Sequence, residues 1–428
     1  MSGIGERVRR ARKAAGLGLR QTAARAFINP GYLSQIERGE RVTPSPDVLA
    51  RLSVVLGVEL VDENPLLGLT LKGDPVAILR KMGRADIGRR AFLTSAVYSV
   101  AAAALPLGSA GEYMERMAAA ESGSAVGWTE VKAVRDMSSM FAMIDERYGG
   151  QHGRSTLVHY LTTDVATLTN AKFASDEQRR EMLILAACLA HRAGWKAHDV
   201  GENGLAQRYY LQGYRLACEA DNDFAAAYML RALAHHGMDV RQPEHTLGLA
   251  DRAFRLATHG KVDRASLAQF AVLKARALAV AGDKSRAAAE VNRAQSIIAD
   301  ADEREMPYWV AQWGPSRAQV DSHSGKTLKA IGDYQAAEVC FARSAAGRPA
   351  YRRVTALTYG LQAEMQYKQD RLEEACAAWG RMLDVTTGVG SARTHKAVAS
   401  MRRDLSPLCA KGVPGARDLD ERARSLLV

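Results

Sequence analysis

The stretch Asn29-Pro30-Gly31-Tyr32-Leu33-Ser34-Gln35-Ile36-Glu37-Arg38-Gly39 decides how the first part of this 428-residue chain is read. Asn29 carries the short acceptor side chain favoured at a helix N-cap. Pro30 suits the first helical position, where no amide hydrogen is needed. Together they predict a helix over Pro30–Arg38. Upstream, Gln21–Ala26 reads as a preceding short helix, with Phe27-Ile28-Asn29 as the turn between them. Five short helical patterns follow one another from Ile4 to Val58, and their apolar positions recur at helical spacing. Val8, Ala11 and Leu17 open a core that Ala23, Leu33, Ile36, Leu49, Leu52 and Leu56 complete.

This ordered series of turns and core positions over residues 1–60 resembles the Cro/repressor-type (XRE) helix-turn-helix domain, in which one short helix lies in the DNA major groove. The resemblance makes Pro30–Arg38 the recognition helix. It nominates Pro30, Gly31, Tyr32, Ser34 and Gln35 as groove-facing, with Asn29 at the start of the helix. Gln35 has the donor and acceptor for a bidentate contact to adenine, Ser34 suits a base or a phosphate, and Tyr32 a thymine methyl or a phosphate. Gln21, across the turn, is placed to donate to a phosphate. Arg9, Arg38 and Arg41 complete the expected DNA-contacting set. Leu33 and Ile36 are assigned to the core, and Glu37 to a structural pairing with a nearby arginine. Gly18, Thr22 and Phe27 depart from the family pattern, which has a hydroxyl cap, an aliphatic residue and a turn glycine at those places.

Charge agrees with an anionic partner. Residues 1–56 hold ten Arg or Lys against four acids, six of the chain's net eleven positive charges. Cations near phosphates release counterions and supply salt-sensitive affinity without sequence information. Apolar content of 47% and charged content of 25% exclude a disordered chain. The length calls for two or three domains. Five widely separated cysteines, Cys188, Cys218, Cys340, Cys376 and Cys409, give neither a metal signature nor a closed disulfide set. With helix-turn-helix residues beginning almost at once, a cytoplasmic location without a secretory leader is expected. Arg89-Arg90 and the apolar run to Leu107 imitate a twin-arginine export signal. That run is internal, short for a span and interrupted by Thr94, Ser95, Tyr98 and Ser99, so no membrane role is expected. It reads instead as an Ala-rich helix packed under the C-terminal domain or against a second subunit.

Residues 61–127 are expected to form a connector of short helical pieces interrupted by Pro65 and Pro75 and containing that Ala-rich helix. From Trp128 to about residue 410 helical patterns recur, with turn-like points near Asn203-Gly204, Pro243-Glu244, Gly282-Asp283, Gly332-Asp333 and Gln369-Asp370. Such a period signals an array of helical hairpins. The clearest units, Lys274–Gln295, Lys326–Ala345 and Gly360–Leu383, resemble tetratricopeptide repeats (TPR), whose small residues let paired helices approach. Hairpins of this kind stack into a solenoid with a concave surface. Residues 411–428 are left as a C-terminal tail.

A helix-turn-helix module joined to such repeats resembles the ligand-sensing regulators that include the RRNPP peptide receptors. The resemblance implies a homodimer on double-stranded DNA whose arrangement answers to a peptide or small-molecule effector. Members commonly grip peptide backbones with asparagines, which are scarce here; Asn170, Asn203, Asn222 and Asn292 are the main ones. His191, His198, His235 and His236 lie near Asp199, Glu202 and Asp239 in sequence, with His198, Asp199 and Glu202 able to share one helix face. Their spacing matches no characteristic ligand set and is read as an ordinary helix-surface grouping. Trp195, Tyr209, Tyr210 and Tyr214 are assigned to packing between helices, with a subset available to line a ligand groove, and Trp309 and Trp313, flanking a bend at Pro307 and Pro315, to the core. No catalytic motif is found, so neither enzyme activity, cofactor nor metal is expected. The sequence therefore predicts an all-α chain, a five-helix helix-turn-helix domain followed by a TPR-like α-solenoid. Its expected role is that of a transcriptional regulator, with a TPR interaction scaffold as the alternative.

Overall fold

The structure, a computed structural model, describes residues 4–26, 28–40, 48, 52, 55–56, 69, 73–91, 125–149, 152–240 and 243–427. Among them there is no named strand, only an isolated bridge between Val126 and Phe173, and the chain is all-α. The N-terminal unit begins with α1 (Ile4–Ala14), α2 (Leu19–Arg25) and α3 (Pro30–Arg38). Val8, Ala23, Leu33, Ile36, Leu52 and Leu56 are buried together, with Ala11 and Leu17 against them. Val48 joins that core; Leu49, and the fourth and fifth helices expected after Gly39, lie outside the described residues.

The next helix, α4 (Pro75–Ala91), corrects the expectation of short pieces broken by Pro75. Proline opens the helix, where its missing amide is harmless, and Asp74 caps it by accepting from the amides of Val76 and Ala77. The helix packs into the large core through Val76, Leu79 and Met82. The apolar segment after Ala91 lies outside the described residues.

There follow α5 (Trp128–Tyr148), α6 (Arg154–Tyr160), a π-helical turn (Leu161–Val165) and α7 (Ala166–Asn170). The paired helices begin with α8 (Asp176–Asp199) and α9 (Asn203–Glu219), then α10 (Asp223–Asp239) and α11 (Pro243–His259), α12 (Arg264–Val280) and α13 (Lys284–Ala299). After the short α14 (Tyr308–Ala311) come α15 (Ser316–Ile331) with α16 (Tyr334–Ala346), and α17 (Arg352–Lys368) with α18 (Leu372–Thr386). The last pair is α19 (Ala392–Lys411) and α20 (Ala416–Ser425). The three units read from sequence are therefore hairpins, and the segment expected as a tail carries a packed helix. Ala416, Leu419 and Ala423 of α20 are buried in the C-terminal core because they recur on one helical face.

The Gly-Asp turns follow from backbone and capping requirements. Gly282 and Gly332 take φ of 89° and 100°, a left-handed geometry that glycine adopts without steric cost. Asp283 and Asp333 then accept from the amides of Arg286 and Ala336 and start the next helix. Small residues let the paired helices touch. A Cβ on Gly325 would lie 2.7 Å from the Phe341 ring, and one on Gly194 equally close to Tyr210.

Buried ion pairs tie distant helices together. Asp145 of α5 accepts from Lys196 Nζ of α8 at 2.9 Å and from Arg353 Nη2 of α17 at 3.0 Å, all three side chains being sealed from solvent. Asp199 accepts from Ser391 at 2.9 Å and lies 3.7 Å from the other Arg353 amino group. A second knot fixes α4, where Arg154 donates to Asp86 at 2.9 and 3.0 Å and to Glu202 at 2.8 Å, and Tyr209 donates to Asp86. Removing one partner of a buried pair strands the other charge. Asp145→Ala is expected to destabilise the chain by about 3–5 kcal/mol, read as a lowered urea midpoint. A loss below about 1 kcal/mol, the level of a surface pair, would show that Asp145 does not hold these helices together.

Candidate functional site

Two regions gather the candidate functional side chains. In the first, α3 starts as the sequence predicted. The Asn29 side chain accepts from the amide of Gly31 at 2.7 Å, and Pro30 occupies the first turn. Gly39 ends the helix at φ 71°. Leu33 and Ile36 are buried against α1, so one face is committed to the core. Gly31, Gln35 and Arg38 are exposed on the helix, as are Gln21 on α2 and Arg9 on α1, while Pro30, Tyr32 and Ser34 are half-buried. Tyr32 also packs against the core. Arg41 lies outside the described residues.

The angle between α1 and α3 is set by contact. A Cβ at Gly5 would fall 2.1 Å from the Ile36 carbonyl oxygen, which only glycine avoids. Arg12 donates from Nε and Nη2 to the two Glu37 oxygens at 2.6 and 2.8 Å and from Nη1 to the Leu17 carbonyl. Glu37 thus has the structural partner expected of it, and Arg12, one of the ten cations of residues 1–56, braces α1 against α3. Arg10 pairs with Glu6 at the surface.

The second region is a cavity of about 290 Å³ on the inner side of the hairpin array. Its walls come from α8, α9, α10, α15, α17 and α19 and from the loops carrying Trp313 and Arg348. Trp195, Tyr210, Tyr228 and Trp313 supply aromatic surface, while Arg231, Lys326, Arg348 and Arg393 supply cations. Glu364 and Asp404 also line it. A wider cleft of about 910 Å³ shares Lys326 and Arg393 with this cavity and reaches Asp239, Arg276, Lys329 and Lys396.

The histidines expected on a helix surface are buried here. His191 stacks near Trp313, with ring centroids 4.4 Å apart, and His235 meets His323 edge-on at 5.1 Å. His198 bonds to Asn203 and to Asp239. It does not share a helix face with Glu202, which precedes α9 and holds Arg154. Among the described residues no group of His, Cys, Asp or Glu is arranged to hold a metal. Asp239 accepts from Arg276 at 2.6 Å and lies 3.7 Å from Arg393, which keeps its carboxyl well below the usual range despite burial. Trp195 and Tyr210 are among the residues the sequence left available to a groove, whereas Trp313, assigned to the core, also lines the cavity. Arg231, Gln319, His323, Lys326, Arg348 and Arg393 were missed, being spread over more than 160 residues. One signal was legible. Arg231 interrupts the otherwise apolar run Ala225–Ala234 in a helix with no exposed face to receive it.

Residues 4–66 match the helix-turn-helix domain family, and the N-terminal unit is a helix-turn-helix domain. No curated protein matches the chain. Among solved structures, Bacillus thuringiensis PlcR in complex with the peptide PapR7 and DNA is similar at 13% identity, over 82% of this chain and 99% of that one, with a TM-score of 0.32. Likeness at that score carries no argument about arrangement or ligands. Among the described residues no helix is long and apolar enough to cross a membrane.

Burial pushes His191, His235 and His323 well below the usual imidazole value, and burial followed by His198 lowers His236 to about 4. Unfolded histidines take up protons near pH 6.5. Between there and about pH 4 the unfolded chain holds more protons than the folded one, so stability falls as pH falls. The unfolding free energy, read from urea titrations, is expected to drop between pH 7 and pH 5, by up to about 1.4 kcal/mol per pH unit for each neutral ring. His236→Gln should make that slope shallower. A flat midpoint would contradict neutral burial.

Proposed function

We propose that the chain is a DNA-binding transcriptional regulator, with residues 1–60 reading DNA and residues 128–410 sensing an effector in the inner cavity. The observation that carries this reading is the division of α3. Leu33 and Ile36 anchor one face, which leaves Gly31 and Gln35 exposed on a helix braced by Arg12–Glu37. A rigid helix with a short polar face suits the major groove, where Gln35 can pair with adenine N6 and N7. Asn29 caps the helix, Gly31 permits close approach, and Pro30, Tyr32 and Ser34 contact bases or phosphates near its start. Arg9, Gln21, Arg38 and Arg41 supply phosphate contacts that set register rather than sequence.

A single module of this size reads few base pairs, so a homodimer on a two-fold site completes the specificity. Such a regulator works in the cytoplasm and needs no catalytic group or cofactor. The cavity favours an effector over the alternative of an interaction scaffold. A scaffold needs an open concave face, whereas here aromatic and cationic side chains converge on a partly closed space. Effector binding changes DNA affinity only through a preference for one dimer arrangement, a coupling of about 1–3 kcal/mol in typical cases.

With an operator selected from random duplexes, Gln35→Ala in the full chain is expected to lower discrimination against random DNA by about 1–3 kcal/mol. Arg9→Ala should weaken both kinds of binding and reduce the salt slope by about 1. Gel-shift titrations at several salt concentrations measure both effects. An unchanged specificity ratio for Gln35→Ala would remove α3 from base reading.

A further inference from the structure

We propose that the inner cavity binds a small organic anion with a planar apolar body, its charge held by Arg231 and Lys326 and its body lying among Trp195, Trp313 and Tyr228. The inference rests on the reading of this cavity as the effector site and names the chemistry of what enters it.

The first support is a charge without a partner. Arg231 is 8% exposed and lines the cavity, yet it makes no ion pair among the described residues. Its one hydrogen bond runs from Nη2 to the Gln319 amide oxygen at 3.3 Å, and its Nε has no acceptor. Burying an unpaired guanidinium is costly. Lys326, on the neighbouring α15, likewise has neither hydrogen bond nor ion pair among the described residues. Burial first, and then Arg276, push its ammonium well below the usual lysine value, with Asp239 opposing and Arg393 and Arg348 adding to the fall. Two cations thus face one cavity with no carboxylate in contact, a shortfall that a bound anion makes good.

The second support is how the charges are distributed along the cavity. Arg393, in the first turn of α19, lies with its guanidinium 5.1 Å from the Trp195 ring, and Arg353, in the first turn of α17, lies 5.7 Å from the same ring. Both helices therefore begin at the aromatic end, where their dipoles are positive. The two cavity carboxylates, Glu364 and Asp404, sit further along these helices. At 1.5 Å per residue Asp404 is about 16 Å from Arg393. Glu364 is engaged by Lys329, and burial followed by Glu364 raises the Asp404 carboxyl above its ordinary value. One end is aromatic and cationic, the other acidic.

The third support is size. At about 290 Å³ the cavity lies at the lower end of small-molecule sites, which run from roughly 300 to 1,000 Å³. A compact aromatic acid fits that volume, with its ring among indole and phenol groups and its acid group on the cations.

The test is isothermal titration of the full chain with 1-naphthoate and with its neutral isostere 1-naphthamide. Naphthoate is expected to bind about tenfold or more tightly than the amide, as for hydrogen bonds to a charged group. Arg231→Met and Lys326→Met should each erase that preference while sparing amide binding. Each should also raise the melting temperature of the unliganded chain, because an uncompensated charge has been removed. Equal affinity for the two probes, no binding of either, or variants that keep the preference would overturn the proposal. Anion-selective binding that leaves operator affinity unchanged would support the site chemistry and separately overturn the effector reading.

Discussion

The buried carboxylate of Asp145 holds the hairpin array together. It receives Lys196 from the first hairpin and Arg353 from the fifth, side chains 157 residues apart in sequence. Stacked hairpins by themselves touch only their neighbours, so a solenoid has no intrinsic reason to bring its first and later turns together. Here the backbone closes at the same place, with the Gly390 amide donating to the Tyr148 carbonyl and the Gly149 backbone approaching Gly390 too closely for a side chain. The network joins α5, α8 and α17, and α8 and α17 both contribute walls of the cavity. Asp199, Ser391 and Arg353 extend the same network to the start of α19. A buried triad is costly in desolvation and earns little net stability against apolar packing. Its effect is to fix which helices meet.

The inner cavity shows the opposite electrostatic situation. Asp145 is paired with Lys196 and Arg353, whereas among the described residues Arg231 and Lys326 line the cavity without an ion pair. Natural cores seldom leave such groups unsatisfied, and where they do the site is usually a functional one. The neutral histidines fit this picture. His191, His235 and His323 remain uncharged in a region already rich in cations, and charging them would add to the same repulsion.

The helix that follows the N-terminal unit in the chain, α4, packs into the large core. A Cβ on Gly83 would meet the Thr162 side chain at 2.3 Å, which brings the helix against the π-helical turn, and Asp86 is gripped by Arg154 and Tyr209. Tyr209 adjoins Tyr210, a wall residue of the cavity. The helix following the N-terminal unit is thus packed into the core that also supplies walls of the cavity.

Much of this was determined locally and could be read from the sequence. Asn29 and Pro30 start α3 whatever surrounds them, because capping and proline geometry act within one turn. The Gly282-Asp283 and Gly332-Asp333 turns are legible for the same reason, as is the all-α class from the recurring apolar spacing. The assignment of Leu33 and Ile36 to the core, with Gln35 outward, follows from helical periodicity alone. Other features depended on non-local contact. Pro75 looked like a break, but it opens a helix whose stability comes from packing against residues more than eighty positions away. The histidines looked like a surface group because each helix was judged singly, and stacking buried them. Of the cavity only some aromatic walls and the odd Arg231 were legible, since its cations come from α10, α15, the α16–α17 loop and α19, which converge only when the helices pack. Sequence fixes what forms within a turn of helix; which charges are left facing each other across 160 residues is decided by packing, because burial and Coulomb energy depend on distance in space.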